Sequence, residues 1–216
     1  MFGISDQLLI ILAGNAISAL MMLGGGLFIL AQNPRKRANQ LFFFLTVSTL
    51  VYHVFFIIAS TQTEYFAAYF WWFLNIFDVL IPMAVVHFIF HVIKKEKEWW
   101  WFIAFTYISG IAIFATAWVL PSAFLPQVLP KLYFMYYLDA GWLYSVMLAH
   151  FLVLPLVAFV NLLVVYTHSG GIEKKRYEYF ILMLMVGYII GCSNFALVYN
   201  IPIDPIFGMF LGFYLL

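Results

Sequence analysis

Nine of the ten lysines and arginines fall in three short links, which alternate with apolar stretches. The links are Arg35, Lys36 and Arg37; Lys94, Lys95 and Lys97; and Lys174, Lys175 and Arg176. Between and around them run apolar segments at about 8–31, 41–60, 66–93, 99–120, 141–166 and 179–199, and a seventh starts near 206. A bilayer core needs about 20 apolar residues in a helix, and the first six segments reach that length. Backbone groups in lipid have to be satisfied within the segment, so helices are expected; no short alternating strands of a barrel are seen. The three basic links follow segments one, three and five and therefore share one side. The opposite links hold Lys131 with Glu64, Asp139 and Asp204. Positively charged links stay in the cytoplasm. The expected fold is an all-α membrane protein, a seven-transmembrane helix bundle with its N-terminus outside the cell membrane.

The run IFGMFLGFYLL at 206–216 has no closing polar flank. Eleven helical residues rise about 16 Å, roughly half of a bilayer core. The last helix is thus expected to be truncated and to continue towards the cytoplasm. Composition agrees with the membrane class: 66% of residues are hydrophobic and 9% charged, against roughly 25% charged in soluble domains. No basic stripe suggests nucleic acid, and one cysteine, Cys192, excludes an internal disulfide and a multi-cysteine metal site. No basic n-region precedes the first apolar run, so no cleaved signal peptide is read.

The link at 121–140 is rich in proline and aromatic residues. It reads either as an interfacial segment or as a lid over an outward-facing pocket. Trp71 and Trp72 are expected at the outer interface, and Trp99, Trp100 and Trp101 at the inner one.

Ionisable residues inside membrane spans are costly and usually face the bundle interior. Here they are His53, Asp78, His87, His91 and His150. Asp78 stands out, because no lysine or arginine lies within a span to pair with it. Asn75 shares its helical face. Pro82 follows four residues later and pushes on the carbonyl of Asp78, so a kink is expected beside the acid. His150 and Pro155 repeat the pattern, with the carbonyl of Phe151 disturbed. The expected constellation is His53, Asn75, Asp78, His150 and Asn194, as a ligand pocket or switch. Alternatively these groups hydrogen-bond one another between helices, the favoured role for Asn194. A metal on His53, His150 and Asp78 has no local spacing behind it. His87 and His91 share a face, but packing is the favoured role because no acid is seen beside them. Gly187 and Gly191 form a small-xxx-small pair suited to close helix approach. No nucleophile elbow, P-loop or dinucleotide fingerprint occurs, and neither a metal nor a cofactor is expected.

The link NPRKRANQLFFFL, the central proline of VLIPMAVVHF, the stretch GIEKKRYEYFILMLMVGYIIG and the opening IPIDPIFG together resemble the N-terminal seven-helix sensor region of bacterial and archaeal histidine kinases and related signalling proteins. That resemblance implies a membrane input module whose last helix couples to a cytoplasmic output domain beyond Leu216, such as a histidine kinase. The fragment itself would not be an enzyme. The expected partners are the lipid bilayer, a small or lipophilic ligand, the output domain and a second copy of the chain in a homodimer. A small proton-coupled transporter and a metal-binding membrane enzyme are the alternatives.

Overall fold

The computed structural model describes residues 5–210 and 212. Six helices are long and apolar enough to cross a membrane: α1 (Asp6–Gln32), α2 (Arg37–Ser60), α3 (Tyr65–Val92), α4 (Trp100–Val119), α5 (Trp142–His168) and α6 (Gly171–Val198). They fit a multi-pass membrane protein. Their polar side chains point inward: Asn15, Thr49, His53, Asp78, Thr106 and Asn194 are all buried. Leucines and isoleucines such as Leu20 and Ile189 face out. This is the arrangement that lipid, being as apolar as the side chains, permits.

The apolar window of α3 is 72% buried, against 22–44% for the other five, so α3 is the central helix. It packs against α2, α4 and α5, and α1 packs chiefly on α2. Pro205–Phe210 forms a 3-10 helix wedged between α1 and α6. The hydroxyl of Ser18 in α1 donates to the carbonyl of Met209 there and accepts from the N–H of Gly212 at 3.1 Å. The remainder of the expected seventh helix, at 211 and 213–216, lies outside the described residues.

Two links end helices in the same way. Lys94 and Asn200 both adopt positive φ, 61° in each case. After α3, Lys95 N–H reaches the carbonyl of Phe90 at 2.9 Å and Lys94 N–H that of His91 at 3.1 Å. After α6, Ile201 and Asn200 repeat the pattern on Ala196 and Leu197, at 3.0 and 3.2 Å. These Schellman caps satisfy the last carbonyls and turn the chain back on itself.

Three expectations need correction. The fold is not purely helical. Residues 121–140 form a helical turn (Pro121–Phe124) and a hairpin of β1 (Gln127–Lys131) and β2 (Phe134–Asp139). Pro130 lacks an N–H, and the register slips between Leu129 and Lys131 around it. Second, Trp72 is no interface marker. It is 1% exposed, and its indole N–H donates to the carbonyl of Tyr136 on the hairpin at 3.0 Å. Third, α6 begins at Gly171, so the basic residues Lys174, Lys175 and Arg176 lie on its first turns and not in a loop.

The hairpin is locked onto the end of α6 by one buried lysine. Lys131 Nζ donates to the carbonyls of Leu197 (3.2 Å) and Val198 (2.9 Å), and to Leu138 (3.0 Å). It also pairs with Asp139 at 3.1 Å. A cation on the last carbonyls of a helix meets the negative end of its dipole.

Candidate functional site

The stretch before Pro82 decides where Asp78 points. Leu74–Val79 is a 3-10 helix inserted between the two α-helical parts of α3. A proline at 82 cannot donate to the carbonyl of residue 78, and 3-10 pairing shifts that demand one residue earlier. The expected irregularity thus takes the form of a six-residue 3-10 stretch on the N-terminal side of the proline. In a 3-10 helix, side chains three apart eclipse, so Asn75 and Asp78 stand one above the other.

Both line a cavity of about 90 Å³ formed between α2, α3, α5 and α6, with β2 of the hairpin contributing to its wall. Asn194 of α6 lines it as well, as do Gly187 and Gly191, whose missing side chains leave part of its space. Apart from Thr49, the rest of the wall is apolar and aromatic, including Tyr52, Phe56, Trp72, Tyr137 and Tyr144. No lysine, arginine or histidine lines it among the described residues.

Three of the five expected site residues therefore come together: Asn75, Asp78 and Asn194. Asn75 is tied locally, its Nδ2 donating to the carbonyl of Trp72 at 3.0 Å. Asn194 Nδ2 donates to the hydroxyl of Tyr52. Two acceptors on the wall, Asp78 Oδ1 and Asn194 Oδ1, are buried without a hydrogen-bond partner. Asp78 is 5% exposed and Asn194 7%. Leaving such groups unmet costs about 1–3 kcal/mol each, and more for a charge.

The two histidines lie elsewhere. His53 Nδ1 donates to Asn15 Oδ1 of α1 at 2.8 Å. His150 Nε2 sits 3.2 Å from the carbonyl of Thr106 and 3.1 Å from Ser109 Oγ, both on α4. Neither lines the cavity. Each reaches the helix on its other side, because one residue's rotation along a helix turns a side chain by about 100°. The grouping of His53, His150 and Asp78 as metal ligands is thus not formed.

Pro155 has the expected effect on Phe151. The carbonyl that it leaves without an intrahelical donor accepts the hydroxyl of Tyr188 from α6. Helix α5 remains continuous across the proline, and α5 and α6 are bonded at the level of the cavity.

At the opposite end, the capping turn after α3 brings an acid onto the second histidine pair. Glu96 Oε1 lies 2.9 Å from His87 Nε2, and Oε2 lies 2.8 Å from His91 Nδ1. Arg37 of α2 approaches the same carboxylate at 4.0 Å, and the hydroxyl of Tyr107 on α4 meets His87 Nδ1 at 3.0 Å. Burial works to raise the Glu96 carboxyl, but the hydrogen bonds from both imidazoles outweigh it and hold it below the usual range. With the acid engaged by both rings and a guanidinium beside it, the cluster is a hydrogen-bonded network joining α2, α3 and α4. No group of three or more His, Cys, Asp or Glu among the described residues is placed to hold a metal ion.

At the hairpin end, burial lowers the Lys131 ammonium, opposed in part by its bond to Asp139. Burial also pushes up the phenol of Tyr137, and the nearby Asp78 charge adds to it. Asp78 and Tyr137 both line the cavity.

Sequence reasoning missed the aromatic members of the wall and Glu96. With aromatics at 21% of the chain, no single ring stands out. The acid of KKEKE was detectable as the first one after HFIFH, but only a tight reversal brings it back onto the histidines. No family model matches the chain, and neither does any curated protein or solved structure.

Proposed function

We propose that the protein is a receptor-type input module that binds a small ligand in the cavity and passes the event along its helices to a cytoplasmic output domain. The observation that carries this reading is Asp78: a buried acid with an unmet oxygen, in a space lined mainly by apolar and aromatic side chains with Thr49, Asn75 and Asn194 among them. Binding pockets commonly take this form, with apolar walls and a few convergent polar groups. Irregular backbone at the wall of such a space is a frequent mark of a hinge, and Leu74–Val79 supplies one. The Tyr188–Phe151 bond couples movement of α5 to α6.

In this reading the basic end, where Lys94 pairs with Glu173 at 2.9 Å, faces the cytoplasm and the hairpin faces out. The N-terminus is outside, the segment from Pro205 begins a seventh helix, and that helix carries the signal inward. The resemblance of the links to the sensor region of histidine kinases supports an output domain of kinase or related type in the same chain, and signalling modules of this kind often pair as homodimers.

A ligand shifts such a module only if it prefers one of two states. Asp78→Asn keeps the shape of the side chain and removes its ionisable group. The variant is expected to fold and to change output at least several-fold; unchanged output removes Asp78 from the mechanism. The mass of the native gene product is the prior test. A value near the 25.0 kDa of the present chain leaves no output domain and ends the receptor reading.

An acid without a cation partner inside the bundle also fits a proton-coupled carrier, with Asp78 as the coupling group. Substrate flux into liposomes carrying the 216-residue chain, abolished by Asp78→Asn, distinguishes that reading.

A further inference from the structure

We propose that the ligand of the cavity is a small primary ammonium ion, with its N–H donors on Asp78 and Asn194 and its short apolar body among the rings of Trp72, Tyr137 and Tyr144. This rests on the reading of the cavity as a ligand site and adds its chemical class.

Three features of the wall point the same way. The unmet polar atoms, Asp78 Oδ1 and Asn194 Oδ1, are both acceptors, so the complementary ligand brings donors. Asn75 Nδ2 and Asn194 Nδ2 each already donate once, to the carbonyl of Trp72 and the hydroxyl of Tyr52, and neither brings a positive charge to hold an anion. Among the described residues no lysine, arginine or histidine contributes to the lining, and its one carboxyl is that of Asp78.

The aromatic wall adds to the same preference. Ring faces attract cations, tryptophan most strongly. Trp72 is fixed by its bond to Tyr136 and packs against Tyr137, with ring centroids 4.6 Å apart. Hydrogen bonds between an ammonium and a carboxylate are roughly twice as strong as neutral ones. A neutral alcohol of the same size meets one oxygen and gains neither charge term. A quaternary ammonium gains the ring contacts but has no N–H for the two oxygens.

Size limits the ligand further. A cavity of about 150 Å³ holds benzene. The space of about 90 Å³ here suits a body of three or four heavy atoms.

The test uses the whole chain in lipid nanodiscs, titrated near neutral pH with propylammonium, 1-propanol and tetramethylammonium and followed by ligand-observed nuclear magnetic resonance. Propylammonium is expected to bind saturably, at least ten-fold tighter than 1-propanol and tighter than tetramethylammonium. Asp78→Asn is expected to remove that advantage over the alcohol. The comparison of amine and alcohol on the unaltered protein stands by itself if the variant does not fold. Equal affinity for the two overturns the ammonium assignment and leaves a ligand cavity standing. No saturable binding of propylammonium below about 100 mM also overturns it. A native gene product near 25.0 kDa ends the receptor reading without touching a measured preference for the amine.

Discussion

Single positions in this bundle show how little slack the hairpin end has. Gly141, the cap before α5, is one. A Cβ there would lie 2.1 Å from the carbonyl oxygen of Ala123, an atom of rigid backbone. Gly141→Ala is therefore expected to destabilise the fold by roughly 1–3 kcal/mol, as overpacking does, read as a lower midpoint of thermal unfolding in detergent. Asp139 is another such position. Burial works to raise its carboxyl, but hydrogen bonds from Lys131, Gln127 and Asn200 overcome this and hold it low. A carboxyl lowered in the fold contributes stability above its unfolded value of about 3.9, and that stability is lost as pH falls through the lowered folded value. Acidification below about pH 4 is expected to loosen the hairpin, and Asp139→Asn to flatten that part of the stability–pH curve. A variant curve that falls as steeply as the parent's contradicts this.

Among the elements, α5 and α6 carry the clearest exchange of backbone for side-chain bonding. Pro155 takes away the intrahelical donor to Phe151, and Tyr188 replaces it from the neighbouring helix. Tyr188→Phe is expected to cost about 1 kcal/mol, within the range for bonds between membrane helices. In a Pro155→Ala background the residue at 155 has its own N–H, so the same Tyr188 substitution is expected to cost less. A double-mutant cycle measures that coupling, and strictly additive costs would mean that the two groups act independently. Element α3 shows the complementary case. Pro82 and the polar pair Asn75 and Asp78 were visible in the sequence, whereas their eclipsed stacking depended on the chain choosing 3-10 over a simple kink. Glu96 became a partner of His87 and His91 only because Lys94 takes a left-handed turn, a conformation that propensity assigns to glycine or asparagine.

For the whole molecule, the arrangement of charge makes an orientation testable. On a Cys192→Ser background, Gln62→Cys is expected to react with a membrane-impermeant maleimide added to intact cells, and Lys97→Cys only after permeabilisation. The reverse pattern inverts the proposed direction of signalling. The six long helices were legible because lipid imposes a simple rule, a run of about 20 apolar residues between polar flanks. Their pairing was not legible, since every face of a membrane helix is apolar and periodicity scarcely marks the buried side. His53 and His150 show the consequence: both are inward-facing as expected, yet one turns to α1 and the other to α4, away from Asp78.

The sequence alone therefore determined the class of the protein, the number of long spans, the shared side of the basic links and the place of Asp78 inside a span. Each of these follows from the cost of placing charge or unbonded backbone in lipid, which acts on every segment separately. Only the tertiary structure decided that residues 127–139 fold as a hairpin over the bundle. It alone brought Asn194 and the glycines of α6 opposite Asp78, and tied the histidines into other contacts. Those outcomes depend on which helix faces meet and on caps that reverse the chain, and no single segment carries that information.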